Sequence, residues 1–250
     1  MGRAIDINSD LGEGAGHDQE LMRFITSANI ACGGHAGDEQ TMRETVALAK
    51  KHGVSIGAHP GYPDKANFGR EQMNMAPMAL TEEVAAQIRA LVAIALSMGA
   101  RVRHVKAHGA LYNQADRDKG IATAIASGIF EVARGAGLLV FAAPRSEMLN
   151  AAKAMDLRVA REGFIDRAYE PDGTLRSRKL GGALHTDPKV AAAQAVSFVR
   201  DGGVRAHDGT FVRMEAETLC FHGDTPGITD IAAAVRSALK REGIEVRPPA

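Results

Sequence analysis

Side chains that can move protons or bind a metal ion follow several short apolar segments of the sequence. Asp6, Asn8 and Asp10 alternate along the first segment, so they share one face of a predicted strand. One histidine at a strand end is more often a hydrogen-bonded structural residue. Five ends, however, each have a His, Lys or acid followed by glycine or proline, and this recurrence favours a functional site. The residues at the other ends are Asn29, His35, Asp38, His59, His104, Lys106, His108, Tyr112, Asp166, Arg167, His222 and Asp224.

The elements that must position these side chains alternate between short apolar strands and amphipathic helices. This alternation is typical of a parallel sheet with helical crossovers, and 250 residues is an ordinary length for an α/β barrel. In such folds ligands bind at the carboxyl ends of the strands, so we predict one domain, 1–250, with its site there. The seven predicted strands are 4–8, 28–32, 54–58, 102–106, 138–142, 157–160 and 218–221.

Local signals predict where several helices and turns lie. Asp38 is a predicted N-cap, Thr81 is predicted to cap a second helix, and Asp187–Pro188 is typical of an N-cap followed by proline at the first helical position. An Asp-Gly turn predicts a small β-hairpin insertion near 204–213. The segment 164–182 has little periodicity and is predicted to be a long, functional loop.

Composition excludes several classes of partner. Lys+Arg and Asp+Glu are equal at 30 each, so no net charge favours nucleic acid or an anionic membrane. No run of 18 apolar residues predicts a membrane span. The only two cysteines, Cys32 and Cys220, are far apart in apolar segments, which favours a reducing compartment and a cytoplasmic protein.

Most local catalytic motifs are absent. Gly12, Gly14 and Gly16 suggest a phosphate loop but miss the dinucleotide-binding spacing by one residue, and there is no Walker A sequence. No serine stands in a G-x-S-x-G turn. Cys32 near His35 could be a nucleophile, although a cysteine in an apolar strand is more often a buried hydrophobic residue.

Six blocks that span nearly the whole chain resemble signature blocks of the family of the 5-oxoprolinase (ATP-hydrolysing) A-subunit, also called LamB/YcsF. They occur in the family's order and together are highly specific. The blocks are 6–14 (DINSDLGEG), 27–38 (SANIACGGHAGD), 57–64 (GAHPGYPD), 104–113 (HVKAHGALYN), 166–169 (DRAY) and 222–227 (HGDTPG).

The resemblance implies a fold and a reaction. The fold is a distorted (β/α)7 TIM-like barrel of the glycoside hydrolase/deacetylase type. The activity is that of component A of a bacterial ATP-dependent 5-oxoprolinase, which opens the lactam of 5-oxo-L-proline to L-glutamate. The expected partners are the small substrate and the separate B and C subunits. ATP is expected to bind to this chain or to those partners, and a homo-oligomer is left open.

On the basis of this resemblance we assign two groups of residues. Asp10 or Glu13 is the predicted base, and His108 or His59 is the predicted acid. Lys106 is predicted to bind the substrate carboxylate or phosphate. His222 and Asp224 are predicted to orient or stabilise the intermediate. The predicted catalytic residues are Asp10, Glu13, His59, Lys106, His108 and His222. The predicted substrate-binding residues are Asn8, Asn29, His35, Asp38, Arg70, Tyr112, Asp166, Arg167, Asp224 and Thr225.

Two alternatives remain open at the level of sequence. The first is a metal-dependent amide hydrolase or deacetylase that needs no ATP, with a divalent metal held by Asp10, His59, His108 and His222. The second is a non-catalytic subunit that binds a small carboxylate, for which Lys106 and Arg167 matter and the histidines do not. The number of histidine and acid candidates favours the enzyme.

Overall fold

The computed structural model describes residues 3–133 and 137–249. Its strands are β1 (Ala4–Leu11), β2 (Ser27–Ala31), β3 (Ser55–His59), β4 (Val102–Lys106), β5 (Leu139–Ala142), β6 (Arg158–Phe164), β7 (Gly203–Arg205), β8 (Phe211–Arg213), β9 (Thr218–His222) and β10 (Glu245–Val246). Its helices are α1 (Asp18–Leu21), α2 (Glu39–His52), α3 (Pro77–Ser97), α4 (Gly109–Ala115), α5 (Lys119–Ala133), α6 (Glu147–Ala154), α7 (Pro188–Arg200) and α8 (Ile228–Arg241).

Seven parallel strands close into a barrel. Their order is β1-β2-β3-β4-β5-β6-β9, and the pairing of β9 with β1 completes the ring. The predicted (β/α)7 barrel is therefore confirmed. The short strand β10 adds to the start of β1 outside the ring, and two residues are too few to predict from sequence. The predicted hairpin is present as the antiparallel pair β7 and β8.

The inward face of β1 is polar, whereas its opposite face is apolar. Along β1, Ile5 and Ile7 belong to the apolar core shared with the helices. Asp6 and Asn8 alternate with them and are buried in a hydrogen-bonded network: Thr218 Oγ1 donates to Asp6, and Asn8 Nδ2 donates to Thr218 Oγ1 at 2.7 Å. Buried polar groups need such partners, so this network fixes the strand carrying the site residues.

The helix signals are mostly correct, with one exception. Asp38 caps α2 by accepting from the Thr41 amide at 2.8 Å, and Asp187 caps α7. Thr81 is not a cap, because α3 begins four residues earlier at Pro77, whose fixed φ suits the first helical position. Thr81 lies inside the helix and donates from Oγ1 to the Ala124 carbonyl at 3.0 Å.

The predicted long loop begins one residue later than expected. Strand β6 continues to Phe164, and the segment that follows, up to Gly182, contains neither helix nor named strand. Two isolated bridges, Arg167 with Leu184 and Tyr169 with Leu175, hold it. No helix of residues 3–133 and 137–249 has the length and apolar composition needed to cross a membrane.

Candidate active site

A cavity of about 1120 Å³ opens at the carboxyl ends of the barrel strands. Asp10 of β1, His59 of β3, Lys106 of β4, Phe164 of β6 and His222 of β9 line it. Each lies at the last or the last but one position of its strand. The closed parallel arrangement therefore brings residues far apart in sequence to one end of the barrel.

A buried ion pair between β1 and β4 forms the centre of the site. Lys106 Nζ donates to Asp10 Oδ1 at 2.9 Å and lies 3.2 Å from Glu162 Oε1 and 2.9 Å from Cys220 Sγ. Asp10 Oδ1 also accepts from Asn29 Nδ2 at 2.8 Å. Three acceptors thus surround an ammonium group that has three protons, so protein groups already provide the hydrogen-bond partners of Lys106.

The charges of this pair hold each other ionised. Burial acts to raise the pKa of Asp10, but His59 and Lys106 outweigh it and hold the pKa well below its usual value. Burial acts to lower the pKa of Lys106, but Asp10 and the neighbouring acidic groups raise it well above its usual value. Asp10 is therefore a carboxylate throughout the neutral range.

Three histidines gather around Glu13. Glu13 Oε1 lies 2.9 Å from His35 Nε2, 3.2 Å from His108 Nδ1 and 3.6 Å from His59 Nε2. The rings of His35 and His108 stack with their centroids 3.6 Å apart. Burial lowers the pKa of His35 to about 4, so this ring is neutral at pH 7. A protonated His108 and His35 both hydrogen-bond to Glu13 and lower its pKa, although burial opposes this effect.

Two backbone carbonyls fix the proton positions on this cluster. His59 Nδ1 lies 2.8 Å from the Lys106 carbonyl, and His108 Nε2 lies 2.9 Å from the Phe68 carbonyl. Carbonyl oxygens only accept, so these nitrogens carry the protons in the neutral rings. When both rings are neutral, His59 Nε2 and His108 Nδ1 present lone pairs to each other across 3.0 Å. Asp10 raises the pKa of His59 although burial opposes it, so a proton on His59 Nε2 is one way to relieve this contact.

Such facing lone pairs fit a cation. Metal-bound histidines commonly donate their other ring N–H to a carbonyl or carboxylate, as both rings do here. One ligand atom from each of four residues lies within 4.8 Å of the others, a spacing at which an ion can bind. These residues, Glu13, His35, His59 and His108, could hold a divalent metal.

Two glycines allow the stacked histidines to sit where they do. A Cβ atom on Gly61 would lie 2.6 Å from His35 Nδ1, and one on Gly69 would lie 2.7 Å from His35 Cβ. Gly69 also has φ +61°, a conformation that other residues adopt at a cost. The His108 amide donates to the Pro60 carbonyl at 2.8 Å, which joins this segment to the start of α4.

His222 is oriented from behind by Asp166. Asp166 lies 3.0 Å from His222 Nδ1 and accepts from Thr225 Oγ1 at 2.6 Å. Burial opposes ionisation, but His222 and its own hydrogen bonds hold the pKa of Asp166 below its usual value. The His222 ring stacks on Phe164 with centroids 5.4 Å apart and pairs in register with Asp10. Among the described residues, the side-chain hydrogen bonds of His222 are made by Nδ1, so its Nε2 can bind a ligand.

Arginines line the outer part of the cavity. Arg70 pairs with Asp224, which also lies 3.4 Å from Arg178. Arg167 has no carboxylate partner within salt-bridge distance in the described ranges, and its buried Nε has no hydrogen-bond partner. One of its terminal nitrogens donates to the Arg176 carbonyl at 2.7 Å. Arg167 is thus a cation available to an anionic ligand.

The structure brings together all but one of the predicted site residues. Asp38 lies outside the cavity, where its exposed carboxylate caps α2, and this helix-end role accounts for its position. The residues that line the cavity are Asp10, His59, Arg70, Lys106, His108, Tyr112, Arg167 and His222. Those that contact them from behind or beside are Asn8, Glu13, Asn29, His35, Asp166, Asp224 and Thr225.

Sequence reasoning missed two acids of the cavity wall. Glu162 is buried against Lys106. The sequence does not predict it as a site residue because the apolar run that marks the sixth strand ends at Ala160. If the strand is extended by two residues, the alternation of side chains places Glu162 on the same face as Ala160. Asp116 follows α4 and carries no motif; burial and the charge of Glu162 raise its pKa to about 8. Burial raises the pKa of Cys32 to about 12, which fits a buried hydrophobic residue.

Comparisons with known proteins agree with this architecture. The model of the LamB/YcsF family matches residues 5–250. The 5-oxoprolinase A-subunit of Bordetella pertussis is 47% identical over 99% of both chains, and that of Chloroflexus aggregans is 49% identical over 98% of this chain and 99% of its own. The crystal structure of a lactam utilization protein from Thermus thermophilus superposes with a TM-score of 0.90 at 42% identity, covering 98% of this chain and 99% of that one. The chain belongs to the LamB/YcsF family.

Proposed function

We propose that this chain is component A of an ATP-dependent 5-oxoprolinase, which opens 5-oxo-L-proline to L-glutamate together with B and C subunits. The observation that carries the proposal is the ionised Asp10 carboxylate, which lies 3.4 Å from His59 Nε2. The same cavity contains Arg167, whose guanidinium group has no carboxylate partner among the described residues. The names of relatives at 47% and 49% identity support the choice of substrate. Two buried cysteines without a disulfide fit a cytoplasmic enzyme.

The chemistry requires activation of the amide. A five-membered lactam gains little from ring opening, so water attacks it slowly. Transfer of the γ-phosphoryl group of ATP to the carbonyl oxygen makes that oxygen a leaving group. Water then attacks the ring carbon, and the C–N bond breaks as the nitrogen takes a proton, which leaves an acyl phosphate. A second water molecule hydrolyses this acyl phosphate to the glutamate carboxylate and inorganic phosphate. The site must supply a base for water, an acid for nitrogen and donors for the developing negative charge.

The residues of the cavity divide among these tasks. Asp10 accepts the proton of the attacking water at Oδ2, because Lys106 and Asn29 occupy its Oδ1. His59 Nε2 lies 3.4 Å from Oδ2, which keeps a second lone pair for the water proton. His59 or His108 returns a proton to the leaving nitrogen, and Glu13 orients both rings. His222 donates from Nε2 to the developing oxyanion or phosphate.

The ligand of the substrate carboxylate is Arg167 rather than Lys106. Lys106 is the candidate that the sequence favours, but Asp10, Glu162 and Cys220 already surround its ammonium group. Arg167 is buried in the cavity wall with an unpartnered Nε. A guanidinium group also matches the planar geometry of a carboxylate.

Reconstitution tests this proposal. The chain is mixed with the B and C proteins of the same organism, 5-oxo-L-proline and ATP, and glutamate and phosphate are measured over time. We expect glutamate only when all components are present, and a mixture without this chain is the control. Glutamate formation without this chain contradicts the proposal.

A second candidate is a metal-dependent amide hydrolase that acts without ATP. The observation in its favour is the pair of facing lone pairs on His59 and His108 beside Glu13. A bound divalent cation would polarise the amide carbonyl and lower the pKa of a water molecule. Amide hydrolysis by the purified, metal-loaded chain alone, in the absence of ATP, distinguishes this candidate from the first.

A further inference from the structure

Two buried polar atoms in the cavity wall have no hydrogen bond of normal length and angle within the protein. Among the described residues, Glu162 Oε2 and the Tyr112 hydroxyl are both fully buried atoms of this kind. Glu162 is 1% exposed and Tyr112 is 6% exposed, and both line the cavity. Buried polar groups without partners cost free energy, so such a pair calls for an explanation.

The remainder of Glu162 is held firmly. Its Oε1 accepts from Asn8 Nδ2 at 2.9 Å and lies 3.2 Å from Lys106 Nζ. Among the described residues, no donor reaches Oε2 with the length and angle of a normal hydrogen bond, although the Tyr112 hydroxyl lies close to this carboxylate. Burial is the largest cause that raises the pKa of Tyr112. The charge of Glu162 and a side-chain hydrogen bond to it raise the pKa further, so the phenol stays protonated.

An aromatic ring stands beside these two atoms. Phe164 lies two residues after Glu162 on the same strand face, and its ring packs edge to face against Tyr112 at 5.7 Å between centroids. Lys106 Nζ lies 5.3 Å from the centre of the Phe164 ring. A small ring bound beside Phe164 would therefore have an acceptor and a hydroxyl near its edge.

We infer that Glu162 and Tyr112 form the subsite for the ring nitrogen of the substrate, with Glu162 Oε2 accepting its N–H. This inference rests on the proposed function and adds residues to it. The pair cannot suit the substrate carboxylate, because Glu162 would repel it, whereas Arg167 attracts it. The subsite selects cyclic amides over cyclic esters, since a lactone has a ring oxygen where the lactam has N–H.

Binding of two ligands to the full chain tests the subsite. The ligands are 5-oxo-L-proline and its γ-lactone analogue, in which oxygen replaces the ring N–H, and affinities are measured by calorimetry. We expect the wild-type chain to prefer the lactam by about tenfold or more, the range for a hydrogen bond to a charged group. Glu162→Gln should weaken lactam binding by about tenfold and narrow or reverse the preference, since its amide can donate to the ring oxygen.

Two further variants keep the test decisive. Tyr112→Phe leaves the ion pair of Lys106 intact. It removes a hydroxyl that donates to Glu162 and whose oxygen can accept the ring N–H, so it should reduce affinity for the lactam more than for the lactone. Glu71→Gln is the matched control, because Glu71 lines the same cavity but is exposed at its mouth. It should leave both affinities unchanged. Circular dichroism and thermal melting establish that each variant is folded.

The outcomes separate this inference from the proposed function. An unchanged lactam-to-lactone ratio in folded Glu162→Gln and Tyr112→Phe overturns the nitrogen subsite, and so does a wild-type chain that binds neither ligand. The proposed function would still stand if the reconstituted enzyme forms glutamate. Selective lactam binding without glutamate formation would instead support the subsite and contradict the reaction.

Discussion

His59 Nε2 and His108 Nδ1 lie 3.0 Å apart, although the second nitrogen of each ring is bound to a backbone carbonyl. Two neutral imidazoles in this arrangement bring two lone pairs together beside the Glu13 carboxylate. The contact is favourable only when a proton or a cation lies between the rings. The pair is thus a site for a positive charge, built from three elements of the barrel rim.

The first prediction concerns a metal ion at this cluster. We expect the purified chain to bind Zn²⁺ or Mn²⁺, measured by calorimetry after chelator treatment, and His108→Ala to weaken binding by about tenfold or more, because it removes a ligand. His17→Ala is the control, since His17 is exposed on the surface. Equal metal affinity in the His108 variant and the wild type would show that the ion binds elsewhere.

The second prediction concerns the close approach of Gly61 to His35. Gly61→Ala would place a Cβ atom 2.6 Å from His35 Nδ1, so the stacked histidines must shift. We expect a loss of about 1–3 kcal/mol in the free energy of unfolding, as for overpacked interiors, with a marked loss of turnover. Gly181→Ala is the matched control because open space surrounds Gly181. Urea unfolding of both variants provides the measurement, and equal stabilities would count against the packing argument.

The third prediction concerns Arg167, which has no carboxylate partner among the described residues. Arg167→Met should raise the KM for 5-oxo-L-proline by about tenfold or more while kcat changes less, because a charge-assisted contact to the substrate carboxylate is lost. Arg145→Met is the control, since Arg145 also lines the cavity but is exposed. Steady-state kinetics of the reconstituted enzyme measure both. If Arg167→Met and Arg145→Met have the same KM, Arg167 does not bind the substrate carboxylate.

The fourth prediction concerns pH and Asp116. Burial and Glu162 raise the pKa of folded Asp116 to about 8 from a usual value of 3.8, so the native state keeps a proton that the unfolded state loses. Stability contributed by this proton is present at low pH and is lost as pH rises toward 8. Asp116→Asn should therefore gain stability relative to wild type from about pH 5 to pH 8, by up to about 1.4 kcal/mol per unit.

Unfolding curves across this pH range give the measurement for Asp116. Asp172→Asn is the control, because Asp172 is exposed and its hydrogen bonds to Thr174 lower its pKa, so it does not titrate in this range. Parallel pH profiles for wild type and Asp116→Asn would mean that Asp116 is ionised in the folded protein.

Much of the site is predictable because parallel strands end at one edge. Asp10, His59 and His222 can be placed together from alternation and strand order alone. Asp38 shows the limit of this reasoning, since a residue after a strand can equally serve the next helix as its cap. Glu162 is missed because β6 continues past the end of its apolar run.

Features that depend on three-dimensional contacts lie beyond the sequence. The proton positions on His59 and His108 depend on two carbonyls from other segments. The acceptors that surround the Lys106 ammonium group include Cys220 and Glu162, which lie on other strands. No periodicity or motif carries such information. The proposal that Arg167 rather than Lys106 binds the substrate carboxylate therefore depends on the structure.

The proposed reaction depends on Asp10 as the base that takes the proton of the attacking water. This role is measured by glutamate formation from 5-oxo-L-proline and ATP by the reconstituted enzyme, with Asp10→Asn and with Asp172→Asn. Both acids line the cavity, but only Asp10 is buried and paired with Lys106. We predict that Asp10→Asn lowers glutamate formation by about 10²-fold or more while remaining folded, and that Asp172→Asn stays close to wild type. Normal glutamate formation by folded Asp10→Asn would contradict the assignment of Asp10 as the base.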